Sequence, residues 1–313
     1  MSERIKKVGY LGPIGTFSEV AAKVLFDKEE VNLFQFDTIP DCIQALEKEA
    51  LDYTVLPIEN SIGGPVTMTI DWLAHEVQIP IQGEVLLPIQ QDLLVHPLNC
   101  GSNEEKGGNS PFTSIYSHPQ ALSQCAKYLR RHYPGVKICY TNSTAEAAHI
   151  VAANPDKPWL AIANVVAKEI YGLKTVEKGI QDYDSNCTRF VALGEHQLQL
   201  NNGKQKCSIL ISLPDDNLTV LHSVFSCFAY RGLELVYFET VPKKIHLGKY
   251  YVWCDFEFGV NQQGLDNLSK ACNEAISIGC SLRHLGTYYR IQGAPFVNWD
   301  DIGAFYRENL KAI

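Results

Sequence analysis

KVGYLGPIGTFSEVAAKVLF, residues Lys7–Phe26, is the stretch that decides the fold class. Lys7 to Leu11 is a short apolar strand, and Gly12-Pro13-Ile14-Gly15-Thr16-Phe17-Ser18 is a turn of structure-breaking residues. Glu19 to Phe26 then carries a helical pattern. A second unit follows: strand Phe34 to Phe36, Thr38 as a cap with Pro40 in the first turn, helix Asp41 to Ala50, and strand Tyr53 to Leu56. Strand-turn-helix alternation of this kind predicts a mainly parallel sheet with helices on its faces.

Working outward, Pro65 opens a helix running to His75, Val85 to His96 reads as one or two strands, and the chain changes lobe near Gly83. Asn99 to Ser110 is polar and glycine-rich, an exposed loop. The alternation then resumes with strand Thr113 to Tyr116, helix Gln120 to His132 and strand Val136 to Tyr140. Ser143-Thr144-Ala145-Glu146 has capping-box spacing for a helix through Ala153, and strand Leu160 to Ala163 precedes a helix that stops at Gly172. After a polar loop at Asp182 comes the strand Phe190 to Leu193. Two α/β lobes with a crevice between them are expected, and such crevices bind ligands at the carboxyl ends of strands.

The texture changes at Gln205. Cys207 to Leu213, Leu218 to Tyr230, Leu233 to Thr240, Tyr250 to Phe258, Gly264 to Ile276 and Ser281 to Tyr289 read in order as βαββαβ, a small ferredoxin-like domain set off by the linker Asn201-Asn202-Gly203. The expected boundaries are 1–200 for the two-lobed unit (lobe one about 1–83 and 181–200, lobe two about 84–180), 205–290 for the small domain, and a 291–313 extension with a helix around Asp300 to Leu310.

A chain of 313 residues with 46% hydrophobic composition supports real cores in about two domains. The net charge of -8 and the scattered placement of 27 basic residues argue against a nucleic-acid surface, so an anionic small molecule needs locally supplied positive charge. The ten cysteines contain no Cys-x-x-Cys pair and read as reduced. Neither a cleavable signal nor a run near the ~20 apolar residues of a membrane helix is visible, so a cytoplasmic enzyme or sensor with no membrane partner fits.

Three remote polar segments offer matching groups. Asp182-Tyr183-Asp184-Ser185-Asn186-Cys187-Thr188-Arg189-Phe190 places a carboxamide, a hydroxyl and a guanidinium side by side. An arginine fork binds a carboxylate through two hydrogen bonds, and Thr188 or Asn186 can bond another oxygen of the same molecule. Glu59-Asn60-Ser61 follows a buried strand; these side chains serve either a local turn or a ligand, and Gly63-Gly64 permits close backbone approach. Ser117 sits where a helix cap belongs, before Pro119, and with Gln124 falls on one helix face. The opening turn lacks nucleotide-loop spacing, although its amides, near Thr16, suit a carboxylate. No metal-ligand spacing and no Gly-x-Ser-x-Gly elbow occurs.

Read in order, Gly12–Ser18, Pro57–Gly64, Ser117–Cys125, Ser143–Ala148, Thr188-Arg189-Phe190 and the βαββαβ tail with Leu285-Gly286-Thr287-Tyr288 resemble prephenate dehydratase carrying a C-terminal ACT regulatory domain. The resemblance implies a two-lobed, periplasmic-binding-protein-like catalytic unit that converts prephenate to phenylpyruvate without a cofactor, in L-phenylalanine biosynthesis. It implies Thr188 as a catalytic hydrogen-bond donor and Arg189 as a substrate anchor. Glu59 is the expected proton source, and Asn60, Ser61, Ser117, Gln124, Asn186 and Thr16 are the expected substrate contacts. For the regulatory domain it implies an L-phenylalanine site at Leu218, Thr219, Val220, Leu221, Glu239 and Thr240, and a homodimer or homotetramer built through that domain. Two departures stand out there: Thr219 replaces a glycine and Val241 an arginine of the family pattern, changes that weaken or alter the site. An arogenate dehydratase, or a ligand-binding sensor that dimerises through the ACT domain, is the alternative.

Overall fold

The computed structural model describes residues 5–27, 30–100, 110–198, 205–291 and 299–310. Residues 101–109 of the expected polar loop, and the linker Asn201-Asn202-Gly203, lie outside the described residues.

Lobe one begins with β1 (Lys6–Leu11), α1 (Phe17–Leu25), β2 (Val31–Phe36), α2 (Ile39–Glu47), β3 (Tyr53–Asn60), the two-residue β4 (Gly64–Pro65), α3 (Thr67–His75) and β5 (Ile81–Pro88). Lobe two holds β6 (Asp92–Val95), β7 (Ser114–Ser117), α4 (Pro119–Gln124), α5 (Ala126–His132), β8 (Lys137–Tyr140), α6 (Thr144–Ala152), β9 (Trp159–Ala163), α7 (Val165–Ile170) and β10 (Lys174–Glu177). The chain then returns to lobe one as β11 (Cys187–Gly194). In lobe one β2, β1 and β3 run parallel, and β11 runs antiparallel between β3 and β5. Lobe two repeats the plan, with β8, β7 and β9 parallel and β6 antiparallel between β9 and β10.

Helix starts at Thr38 and Ser143 follow the caps read from the sequence, whereas α1 begins at Phe17, two residues before the expected Glu19, with Thr16 as its cap. Thr16, Thr38 and Ser143 each accept a hydrogen bond from the backbone N–H three residues on, at Glu19, Asp41 and Glu146. The lobe boundary is later than expected. Instead of changing lobe at Gly83, β5 stays paired with β11 through Pro88, because Val85 and Leu87 fill the lobe-one core. The two crossings between lobes run side by side: Ile89 N–H donates to the Asn186 carbonyl and Ile180 N–H to the Gln91 carbonyl, both at 2.8 Å.

The C-terminal domain comprises β12 (Gln205–Ser212), α8 (Leu221–Ala229), β13 (Glu234–Pro242), β14 (Tyr250–Phe258), α9 (Gln262–Ser277) and β15 (Ser281–Arg290). Its strand order, β13-β14-β12-β15, is the ferredoxin-like one. Alternation sorts its residues: Ile209, Ile211, Val252 and Cys254 pack with α8 and α9, whereas Leu210 and Trp253 face α3 of lobe one.

The two sheets fuse. β15 pairs in parallel with β5 at Tyr289–Gly83 and Arg290–Glu84, making one continuous sheet from β13 to β2. Gly286 permits this approach, since its φ is +149° and a Cβ there would lie 2.2 Å from the Ile81 carbonyl oxygen.

Last comes α10 (Trp299–Leu310), within the extension expected from sequence. Trp299 packs edge-on to Phe17 at 5.6 Å, and Tyr306 OH donates to Glu19 at 2.9 Å. Arg307 reaches Glu169 of α7 at 3.3 Å, so this helix touches both lobes. Among the described residues no helix is long and apolar enough to cross a membrane.

Candidate active site

Between the lobes lies a cavity of about 810 Å³, in the size range of small-molecule sites. Three helices open onto it with their N-terminal ends: α1 at Thr16 to Ser18, α4 at His118 to Ala121, and α6 at Ser143 and Thr144. Each such end presents backbone N–H groups without intrahelical partners and a partial positive charge. No Lys or Arg lines the cavity among the described residues. Burial pushes the His118 pKa down, so this ring stays neutral, and its Nδ1 accepts from Gln120 N–H to cap α4. Helix ends therefore supply positive potential at a cavity that, among the described residues, has no Lys or Arg in its wall.

Asn60 organises the floor. Its Oδ1 accepts from the backbone amides of Ile62 (3.1 Å) and Gly63 (2.7 Å), which can only donate. That fixes the carboxamide and turns Nδ2 toward Thr188 Oγ1 at 2.9 Å and Asn186 Oδ1 at 2.9 Å. Thr188 thus receives a hydrogen bond on its oxygen, and its own proton is left for the cavity. Gln120 and Gln124 of lobe two reach Asn60 Oδ1 at 3.4 and 3.5 Å, and Asn186 Nδ2 donates to Gln124 Oε1 at 2.9 Å. A Cβ on Gly63 would fall 2.4 Å from Gln120 Nε2 and would displace that carboxamide from Asn60.

Strand pairing sets Thr188 opposite Asn60 and Arg189 opposite Glu59. Successive side chains on a strand point to opposite faces, so Thr188 and Asn60 enter the cavity while Arg189 and Glu59 leave it. Arg189 is 4% exposed and turns to the seam with the C-terminal domain, where Nε meets Glu84 at 2.6 Å and Nη2 donates to Tyr288 OH at 3.1 Å. Glu59 lies on that same side, 3.6 Å from Arg189 Nη1. Neither residue lines the cavity. The expectations that Arg189 grips substrate and that Glu59 supplies a proton are corrected by this geometry.

The other expected residues divide. Thr16 and Gln124 line the cavity. Asn186, Ser117 and Ser61 do not, and each braces the wall instead. Asn186 joins Asn60 to Gln124, while fully buried Ser117 donates to the Ile162 carbonyl at 2.7 Å, tying β7 to β9. Ser61 Oγ accepts from Cys187 N–H and donates to the Ser185 carbonyl, clasping the Asp182 loop. Wall residues not assigned to the site from sequence include Ser143, Thr144, His149, Tyr171 and Gln91. The capping box at Ser143 was the available signal, since a helix start is itself an anion site.

In the C-terminal domain Leu218, Thr219 and Val220 form a 3₁₀ turn before α8, which Leu221 begins. Glu239 and Thr240 sit on the edge strand β13. Among the described residues no three His, Cys, Asp or Glu side chains cluster as metal ligands would.

A family model described as prephenate dehydratase matches residues 8–198. Prephenate dehydratase of Bacillus subtilis (strain 168) is 39% identical over 293 residues, which cover 91% of this chain and 99% of that protein. The Lactococcus lactis subsp. lactis (strain IL1403) protein of the same name is 38% identical over 284 residues, covering 90% and 97%. Among solved structures, prephenate dehydratase from Arthrobacter aurescens in complex with L-Phe matches with a TM-score of 0.76 at 25% identity, over 97% of this chain and 99% of that one. The chain belongs to the prephenate dehydratase family, enzymes that remove carbon dioxide and water from prephenate to give phenylpyruvate.

Proposed function

We propose that the interlobe cavity binds prephenate and that Thr188 is the group that acts on its leaving hydroxyl. The ring carboxylate departs as carbon dioxide, and its bonding electrons enter the ring. The C–O bond opposite breaks, and the oxygen leaves as water after one proton is taken up. A threonine hydroxyl is too weak an acid to lose its proton outright at neutral pH, so its part is to donate a hydrogen bond to the developing hydroxide. The single observation that carries this role is the 2.9 Å hydrogen bond from Asn60 Nδ2 to Thr188 Oγ1, which aims the threonine proton into the cavity.

A wall in which the described residues include no Lys or Arg also suits the reaction. A cation paired with the ring carboxylate would stabilise the charge that must be lost, whereas helix ends hold the carboxylates with softer, partial charge. Thr16, Gln124 and the Ser143 turn are the substrate contacts in this reading, with Asn186, Ser117 and Ser61 supporting the wall around them.

The C-terminal domain is read as an ACT domain, and the two lobes as a periplasmic-binding-protein-like pair. L-phenylalanine is the proposed effector, at Leu218–Leu221 with Glu239 and Thr240, and the domain joins copies of the chain into a homodimer or homotetramer in the cytoplasm. Support comes from the βαββαβ order and from the L-Phe bound to the Arthrobacter aurescens relative. Val241, where the family pattern has arginine, is buried against lobe one, so the effector site forms without that guanidinium.

Purified protein is assayed with prephenate, following phenylpyruvate absorbance with and without L-phenylalanine. Turnover supports the reading and a bound but unchanged substrate sinks it; inhibition by millimolar L-phenylalanine supports the effector site and unaltered kinetics removes it. Asp37 and Glu146 in the cavity wall favour one second reading, L-arogenate, whose ammonium they would attract. Faster formation of phenylalanine from L-arogenate than of phenylpyruvate from prephenate would select it.

A further inference from the structure

On the far side of β11 from the cavity, Arg189 enters a largely buried cluster of six charge-bearing side chains, Arg189, Lys206 and Arg290 against Glu84, Asp255 and Glu257. Glu84 receives Arg189 Nε at 2.6 Å, Lys206 Nζ at 2.9 Å and Arg290 Nε at 2.9 Å. Across the seam Arg189 Nη2 pairs with Asp255 and donates to Tyr288 OH. The Tyr237 ring lies 5.2 Å from the guanidinium. Asp255 Oδ1 in turn accepts from Ser208 Oγ at 2.6 Å and Trp253 Nε1 at 2.8 Å, and Trp253 stands opposite Glu239 of the edge strand.

Net stability is a poor reason for such a cluster, because apolar residues of equal volume hold a buried seam at least as well. Ion pairs of this kind add direction: a planar guanidinium held at both Nε and Nη2 has its pose restricted. We infer that Arg189 is a positioning residue, which by locking the seam side of β11 to Asp255 and Tyr288 sets where the neighbouring Thr188 hydroxyl points in the cavity. The inference rests on the reading of Thr188 as donor to the leaving hydroxyl. It makes the C-terminal domain part of the mount for that donor, and it gives the edge strand a route to the reaction through Trp253 and Asp255.

The full-length protein is tested as Tyr288→Phe, which removes one oxygen, and as Asp255→Asn, each alone and combined with Thr188→Val, with thermal melts to establish folding. Each single change is expected to lower kcat about tenfold with KM held within about twofold, the signature of a misplaced group rather than a lost contact. In the Thr188→Val background neither change lowers kcat further, because no donor remains to misplace. Unaltered kcat in the folded Tyr288→Phe enzyme, or losses that add in full to that of Thr188→Val, overturns the inference. Tyr288→Phe decides the matter alone if Asp255→Asn does not fold. A Thr188→Val enzyme at full rate is a separate result, and removes the underlying reading instead.

Discussion

Asn60 Nδ2 lies 2.9 Å from Thr188 Oγ1, and the Asn60 carboxamide cannot turn over without setting its NH₂ against two backbone N–H groups. The threonine proton is therefore directed by a side chain that is itself directed by backbone. Replacing Thr188 with Val keeps the shape and removes the donor, and is expected to lower kcat by about 10²-fold. Thr188→Ser retains the hydroxyl and is expected to keep most of the activity. Initial rates of phenylpyruvate formation distinguish the two, and equal rates in both variants would contradict the role.

Asn60→Asp is a sharper probe. One oxygen of the new carboxylate still accepts from Ile62 and Gly63, but the other now accepts the Thr188 proton and withdraws it from the cavity. The expected outcome is a fall in kcat on the order of 10- to 100-fold with the protein folded. Asn60→Asp with undiminished kcat would show that this orientation is unimportant.

Glu84 is expected to make the fold sensitive to acid. Burial alone would raise its carboxyl, but the charges of Arg189, Lys206 and Arg290 prevail and hold it down to about 2. The ordinary value for a glutamate, taken for the unfolded chain, is 4.5. Its contribution, about 3 kcal/mol, is complete above the unfolded value and is lost as pH falls from there through the folded value, because the unfolded state takes up the proton first. Denaturant midpoints measured between pH 6 and pH 3, values bracketing that onset, are expected to decline more steeply for the native protein than for Glu84→Gln. Glu84→Gln is itself expected to cost about 3–5 kcal/mol by leaving cations underpaired.

Tyr306 fastens the C-terminal helix to the cleft. Its hydroxyl donates to Glu19 Oε1, and Glu19 Oε2 accepts from Gly15 N–H in the turn beside Thr16. Tyr306→Phe is expected to cost about 1 kcal/mol in chemical denaturation. A larger KM for prephenate should accompany that loss, since the same carboxylate steadies the cavity rim. Unchanged KM would confine α10 to a structural role.

What the sequence made legible was local. Thr38 and Ser143 announce their helices by side-chain chemistry that acts within four residues, and the βαββαβ tail follows from strand and helix periods. The identity of Thr188 as a cavity residue was legible from the polar segment that contains it. Arg189 and Glu59 were misplaced because strand alternation tells that neighbours face opposite ways without telling which way the cleft lies. The lobe boundary slipped because β5 continues past Gly83 by pairing with a strand a hundred residues later in the chain. Least visible was the junction of β15 with β5, where two residue pairs join the sheets and the local trace is Gly286.

That junction bears on how the chain can be re-engineered. Residues 205–290 look like a detachable cassette by chain order, yet β15 and β5 share backbone hydrogen bonds and the ions beneath them neutralise one another as a set. A hybrid enzyme spliced between β11 and β12 takes Glu84 and Arg189 from one parent and Lys206, Asp255, Glu257 and Arg290 from the other. For the splice to work, Lys206, Asp255, Glu257, Tyr288 and Arg290 have to travel in company with Glu84 and Arg189, so the natural unit of exchange in this protein is the whole sheet.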